Sequence, residues 1–217
     1  MMGIDPGEVA VKPAGAAVPH TLPAFAEMRG YWEALRSPQG LPRRADLDPR
    51  GLKNCLHQTL IAEQVAPGLA RLRLAGATLT DVMGMEVRGM PLSALFDPMA
   101  RAMLETALRR VFAGDVAVTL LLEAERGLGR PALTGQLMLL PMVGDLDTVD
   151  LALGCLVLRG IAGRTPRRFQ IMHARYETVA QATLAPYQPM RSVADASGAV
   201  ETPAEKRATM PYLRLVK

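Results

Sequence analysis

The sequence predicts an α+β fold in which a five-stranded antiparallel sheet carries helices on one face and has an N-terminal helical cap. Two strand-like segments come first, joined by the turn Pro67-Gly68. A strongly amphipathic segment over 99–112 predicts a long helix. Three further strand-like segments follow with short connections, which is the pattern of an antiparallel meander.

The first element is an amphipathic helix that starts after Leu22. Apolar side chains recur there every three or four residues and share one face of the helix, namely Phe25, Met28, Trp32 and Leu35. The segment Ser37-Pro-Gln-Gly-Leu-Pro42 ends this helix. A short helix is then expected from Pro49 to about Leu56, with Asp48 as its N-cap.

The first pair of strands is predicted around the turn Pro67-Gly68. One strand spans 57–64, and the other begins at Arg71, where arginine and leucine alternate with the period of a strand that buries one face. Gly76 ends the second strand. The run Asp81-Val-Met-Gly84 predicts a helical turn closed by a glycine with positive φ. Apolar anchors follow at Leu92, Leu95 and Phe96.

The long helix is predicted after Asp97-Pro98, which supplies an N-cap and a first helical residue. Glu105 and Arg109 lie four residues apart on its polar face and stabilise it by a few tenths of a kcal/mol. Gly114 ends it. The meander strands are predicted over 116–125, 131–140 and 149–159.

The domain organisation follows from where this pattern begins and ends. Residues 1–20 lack apolar periodicity and predict a disordered N-terminal tail. Residues 21–160 form the predicted domain, including the cap helix. Residues 161–217 hold nine basic against four acidic residues and predict a basic, largely flexible C-terminal extension with a candidate helix over 169–183.

This element order, together with four sequence runs, resembles a bacterial family of stand-alone PAS-domain sensor and signalling proteins. The runs are Tyr31-Trp-Glu-Ala-Leu-Arg36, Pro42-Arg-Arg-Ala-Asp-Leu-Asp-Pro49, Arg71-Leu-Arg-Leu-Ala-Gly76 and Gly84-Met-Glu-Val-Arg-Gly89. The resemblance covers about 22–160. It implies a cytoplasmic module that binds a small ligand or a partner protein and signals through protein–protein interaction, with no catalytic residues. The alternative is a ligand-free interaction scaffold with a closed core.

The resemblance also implies a ligand cavity between the sheet and the long helix. The pocket candidates are His57, Met83, Met103, Leu104, Ala107, Leu108, Leu120, Leu122 and Leu137. We expect a homodimer through the apolar stripe of the first helix, with interface candidates Phe25, Met28, Trp32 and Leu35. The expected partner is a signalling protein of unknown identity, with no membrane partner and nucleic acid disfavoured.

No cofactor is predicted, so any ligand is expected to be colourless. Asn54-Cys55-Leu56 departs from the reactive-cysteine motif of flavin photosensors, and 99–112 lacks the histidine of haem sensors. The sequence holds 13 methionines, which suit either an adaptable pocket or ordinary gap-filling in a core whose aromatic content is 4%.

The chemistry-bearing residues are few and scattered. His20, His57 and His173 fall in separate segments and predict no metal site. No nucleophile or phosphate-binding motif is present, so we expect no enzyme activity. Cys55 and Cys155 are expected to be reduced and buried, with a disulfide between them left open. No apolar run is long enough for a membrane span.

Overall fold

A computed structural model describes residues 22–37 and 40–179 of the chain. These residues form α-helices, β-strands and short 3-10 turns. The order is α1 (Pro23–Ala34), β1 (Thr59–Ala66), β2 (Leu69–Ala75), α2 (Ala77–Met83), α3 (Arg101–Phe112), β3 (Val116–Ala124), β4 (Leu133–Met142), β5 (Leu151–Gly160) and β6 (Phe169–Thr178). The predicted tail over 1–20 and the chain after residue 179 lie outside the described residues.

The strands form one antiparallel sheet in the order β2-β1-β5-β4-β3-β6. The predicted meander is confirmed, since β3, β4 and β5 are adjacent and joined in sequence. The first strand pair joins the meander through β1 and β5, where Thr59 is paired with Cys155. The predicted α+β fold is confirmed, but the sheet has six strands rather than five.

The sixth strand corrects the predicted helix over 169–183 and the domain boundary at residue 160. β6 pairs with β3 along its whole length, from Phe169 beside Ala124 to Thr178 beside Val116. Its N-terminal half alternates between buried Phe169 and Ile171 and exposed Gln170, which is the period of a strand. A bulge near Met172 interrupts that alternation. The interrupted pattern explains why periodicity alone favours a helix here.

Each face of the sheet carries its own apolar cluster: α2 and α3 lie on one face, as predicted, and the N-terminal helical cap, α1, covers the other. Leu60 and Ala62 of β1 pack in the cluster that contains α2 and α3. Ile61 between them packs in the cluster that contains α1. Because successive side chains of a strand point to opposite faces, α1 covers the face opposite α3.

α1 is held on the sheet by Trp32, whose side chain is fully buried. The indole nitrogen of Trp32 donates a hydrogen bond to the carbonyl oxygen of Pro141, 2.9 Å away. Pairing of β4 with β3 ends at Leu139, so Pro141 can lie in β4 without removing a donor from that ladder. The guanidinium groups of Arg29 and Arg36 lie 5.6 and 5.3 Å from the centroid of the indole ring.

The dimer interface predicted on α1 is therefore wrong for its central side chains. Phe25, Met28 and Trp32 are buried against the sheet of their own chain, and Leu35 is half-buried. A residue that has no exposed surface cannot contact a second copy. The apolar stripe is real, but the sheet is its partner. The homodimer itself stays a prediction.

The segment that follows α1 is tied to it through Tyr31. The Tyr31 hydroxyl donates to the carbonyl oxygen of Asp48 at 2.9 Å and accepts from the Asp48 backbone nitrogen at 2.7 Å. A β-carbon at Gly51 would lie 2.1 Å from the Tyr31 ring, so only glycine leaves room for the ring. Asp48 is the N-cap as predicted, but the helix it caps is a 3-10 turn that ends at Leu52 rather than about Leu56.

The cap predicted for the long helix belongs to a short turn before it. The Asp97 side chain accepts from the backbone nitrogen of Met99 and caps a 3-10 turn over Pro98–Ala100. α3 begins at Arg101 rather than at residue 99, and its N-cap residue, Ala100, makes no side-chain hydrogen bond. Arg109 donates to Glu105 at 2.8 Å on the exposed face of α3. Gly84 closes α2 with a φ of 68°, in the left-handed region that favours glycine.

A buried arginine joins the two loops at one end of the sheet. Arg167 has no exposed surface, and its guanidinium donates to the carbonyl oxygens of Glu125 at 2.7 Å, Pro131 at 2.9 Å and Ala162. Its backbone nitrogen donates to the carbonyl oxygen of Val82 in α2 at 2.9 Å. Three backbone carbonyls thus accept from the two terminal nitrogens of one buried guanidinium, whose Nε has no partner, and hold the β3–β4 and β5–β6 connections together.

We predict that Trp32→Ala lowers the free energy of unfolding by about 3–5 kcal/mol, because it leaves a large cavity under α1. Glu33→Ala, at the exposed neighbouring position, should change it by less than about 1 kcal/mol. Urea unfolding followed by circular dichroism measures both. Equal, small effects together with a halved solution mass for Trp32→Ala would restore the interface role of this side chain.

We predict that Arg167→Met lowers the free energy of unfolding by roughly 2–4 kcal/mol, since it leaves three carbonyl oxygens without their donor. Arg167→Lys should not rescue it, because one ammonium lacks the planar fork of a guanidinium. The control is Arg168→Met, at the exposed next residue, with an expected effect within about 0.5 kcal/mol. Matching unfolding midpoints for the two methionine variants would contradict this role of Arg167.

Candidate functional site

The candidate site is the layer between α3 and the sheet. Seven predicted pocket side chains lie there in one buried apolar cluster, namely Met83, Leu104, Ala107, Leu108, Leu120, Leu122 and Leu137. The three- and four-residue spacing along α3 turns one stripe of that helix toward the sheet. Alternation along β3 and β4 places the strand residues on the facing side. The sequence thus assembles this layer correctly from local patterns.

Two predicted pocket residues lie elsewhere. His57 is exposed in a 3-10 turn over Leu56–Gln58, and strand β1 begins only after it. Met103 belongs to α3 but is 42% exposed. Successive residues of a helix are turned by about 100°, so Met103 faces water while Leu104 faces the sheet. Both assignments to the pocket are wrong.

The layer also contains aromatic side chains that the pocket prediction omitted, namely Phe112 of α3 together with Phe96 and Phe169. Phe96 and Phe169 are both about 1% exposed and lie in the same cluster. The backbone nitrogen of Asp97 donates to the carbonyl oxygen of Phe169 at 2.9 Å, which brings the two segments side by side. The apolar run that ends at Phe96 signals that residue. No sequence pattern indicates that Phe169 belongs to this layer, because its segment is predicted as a helix.

The chemistry of this layer is apolar. Among the described residues, the buried polar side chains are Thr59 and Arg167, and neither belongs to the cluster. The Thr59 hydroxyl donates to the carbonyl oxygen of Cys55 at 2.9 Å, while Arg167 binds loop carbonyls. A polar or charged ligand would therefore lose its hydrogen bonds to water without replacing them in this layer. The site suits apolar groups.

The two cysteines lie in the cluster on the opposite face of the sheet. Both thiols are free and buried. Burial, the neighbouring Cys55 thiol and Glu27 raise the pKa of Cys155 to about 12. Burial and Glu27 also raise the pKa of Cys55, against hydrogen bonds that lower it. Protonated thiols are poor nucleophiles, and these two are separated from the α3 layer by the sheet itself.

The described residues contain neither a metal-binding cluster nor a membrane-spanning helix. No group of three or more His, Cys, Asp or Glu side chains could hold a metal ion in 22–37 and 40–179. His173 is exposed on β6, and His20 lies outside those ranges. Within the same ranges, no helix combines the length and the apolar character that crossing a bilayer requires.

A family model described as a PAS domain matches residues 20–157. The chain belongs to the PAS domain family. PAS domains are sensory and signalling modules, and this chain is a module of that kind. The match ends inside β5, so β6 and the connection that contains Arg167 lie beyond the matched residues.

The other comparisons add a distant structural likeness. One solved structure that matches is that of an RNA-binding light-oxygen-voltage receptor, with 22% sequence identity and a TM-score of 0.37. The match covers 54% of this chain and 36% of that chain, so it spans well under two thirds of the receptor. A search of curated proteins found no match.

We predict that Leu104→Ala lowers the free energy of unfolding by about 2–5 kcal/mol, because Leu104 is buried between α3 and the sheet. Met103→Ala, one residue earlier on the exposed face, should change it by less than about 1 kcal/mol. Chemical denaturation of both variants measures the difference. A larger loss of stability for Met103→Ala than for Leu104→Ala would contradict the exposed position of Met103.

Proposed function

We propose that this PAS domain signals through protein–protein interaction and that the molecule it senses is small, apolar and held between α3 and the sheet. The apolar lining of that layer carries the proposal. Its buried side chains contribute hydrocarbon and thioether groups, which favour an uncharged ligand. The proposed ligand is colourless, because the sequence lacks the cysteine motif of flavin photosensors and the histidine of haem sensors. The proposal assigns no catalytic step to the chain and places it in the cytoplasm.

Successive side-chain contacts connect α3 to β6 and β6 to α1, and they support a route by which binding of a ligand beneath α3 is transmitted. The guanidinium of Arg110 in α3 lies 4.0 Å from the ring centroid of Tyr176 in β6. The next residue of β6, Glu177, forms an ion pair with Arg29 of α1 at 3.3 Å. A ligand that binds one packing of α3 more tightly than another shifts the population toward it. The shift then reaches both β6 and α1, where a partner protein reads it.

Tight packing at the centre of the layer favours a second candidate, a ligand-free scaffold with a closed core. A β-carbon at Gly154 of β5 would lie 2.7 Å from Leu60 and 2.9 Å from Leu139. The backbone of β5 is thus approached closely by side chains from both neighbouring strands. In this candidate the same apolar residues serve only stability, and the partner protein binds a permanently folded surface.

We predict that native mass spectrometry of the full chain, purified from its own cells, detects an added small mass that denaturation releases. Ala107→Phe should remove this mass, because Ala107 is buried in the layer and a larger side chain takes the place of the ligand. Ala102→Phe makes the same change at an exposed position of α3 and should retain it. Circular dichroism checks that both variants are folded.

The absence of any added mass from the natural protein would contradict the ligand proposal and favour the closed scaffold. Retention of the mass by folded Ala107→Phe would place the ligand elsewhere. In the scaffold candidate Ala107→Phe instead overpacks a filled core and costs about 1–3 kcal/mol of stability. A thermal-shift measurement on the two variants distinguishes that outcome from displacement of a ligand.

A further inference from the structure

One end of the sheet brings together two loops that the signalling proposal does not use. We define the basic end as two segments. Residues 125–131 connect β3 to β4, and residues 159–168 lead from β5 to β6. The backbone nitrogen of Arg164 donates to the carbonyl oxygen of Gly129 at 2.7 Å. Arg167 binds carbonyls in both segments. The basic end is therefore one surface with a fixed geometry.

The basic end holds the net positive charge of the protein. Its two segments contain six arginines and one glutamate, a net charge of +5, whereas the whole chain has +4. Arg126 pairs with Glu123 at 2.8 Å and Arg130 with Glu125 at 2.5 Å. In the part of the chain that the structure describes, three exposed arginines of this end form no ion pair, namely Arg159, Arg164 and Arg168.

Two large aliphatic side chains project from the same loops into water. Leu128 is 96% exposed and Ile161 is 74% exposed. Leu128 sits at the tip of a tight turn closed by reciprocal backbone hydrogen bonds between Gly127 and Arg130, at 3.1 and 2.9 Å. Fully exposed aliphatic side chains lose the free energy of burial. Because these side chains share the basic end with three unpaired arginines, we expect the partner of this end to have a surface that is anionic and able to bury aliphatic groups.

We propose that the basic end binds the surface of an anionic phospholipid membrane, with Leu128 and Ile161 inserted among the headgroups and the arginines against lipid phosphates. Guanidinium groups pair well with phosphate. Aliphatic side chains that protrude from a basic surface gain free energy at the boundary between headgroups and acyl chains. The sequence lacks an apolar run long enough to span a membrane, which is why no membrane partner is expected from it. The contact proposed here is peripheral and needs no such run.

The residue types of the basic end disfavour the two other macromolecules that a basic surface attracts. Single-stranded nucleic acid is bound by stacking bases on aromatic side chains, and these two segments contain none. A protein partner usually buries its anchors in a pocket, whereas Leu128 and Ile161 are almost wholly in water rather than lining one. A bilayer accepts protruding side chains without a complementary cavity.

The test is co-sedimentation of the full chain with vesicles of equimolar phosphatidylcholine and phosphatidylglycerol, compared with phosphatidylcholine alone. We expect binding to the anionic vesicles, weakened by added salt. The double variant Arg164→Gln, Arg168→Gln should bind roughly 30-fold more weakly, at about fivefold for each charge. The double variant Leu128→Ala, Ile161→Ala should bind at least about tenfold more weakly, because less apolar surface is buried.

Matched controls change the same residue types elsewhere. Leu146→Ala removes a side chain that is 82% exposed in the β4–β5 hairpin, at the opposite end of the sheet. Arg71→Gln with Arg73→Gln removes two exposed arginines of β2. Both controls should bind like the natural protein, and circular dichroism should show all variants folded.

Three results would overturn the proposal. One is equal binding by the basic-end variants and their controls, which would assign the contact to another part of the chain. Another is equal binding to neutral and anionic vesicles. The third is no vesicle binding together with binding of a fluorescein-labelled single-stranded RNA, measured by anisotropy and lost in Arg164→Gln, Arg168→Gln, which would assign this surface to nucleic acid.

Discussion

The rest of the structure depends on the burial of both faces of one antiparallel sheet by helices of the same chain. α2 and α3 cover one face, and α1 with the segment after it covers the other. Because side chains alternate along every strand, residues such as Leu139 and Leu140 of β4 contribute to separate clusters. Loss of either layer would expose a continuous apolar surface, which a monomeric protein rarely tolerates.

This arrangement limits where the domain can meet other molecules. The α3 layer is inside the protein and apolar, so it suits a small hydrophobic ligand or none. The face beneath α1 is occupied by Trp32 and its neighbours, which removes it as an interface. The outer surfaces of the helices and the edges and ends of the sheet remain accessible, and Arg167 holds one of these ends in a fixed shape. The buried layer proposed to hold a ligand and the exposed basic end therefore lie on different parts of one framework.

The sequence predicts the local features well, because each has a local physical cause. Asp97 caps the 3-10 turn before α3 through the backbone nitrogen of Met99, Gly84 adopts a left-handed φ, and the stripe of α3 follows from helical spacing. The partners of these features are set by distant contacts. Trp32 would lie on an apolar stripe whether α1 formed a dimer interface or packed on its own sheet. Its hydrogen bond to Pro141 shows that the stripe covers the sheet. In the sequence, Arg167 cannot be distinguished from other basic loop residues. The structure shows that it binds three carbonyls from two loops.

Hydrogen–deuterium exchange of the full chain, resolved by peptide, tests most directly whether one chain covers both faces of its own sheet. We expect amides of α1 and β6 to exchange nearly as slowly as those of β4 and β5, at a rate independent of protein concentration, because all belong to one cooperative core. Rapid exchange in α1 beside a protected sheet, or protection of α1 that develops only as the concentration rises, would contradict it.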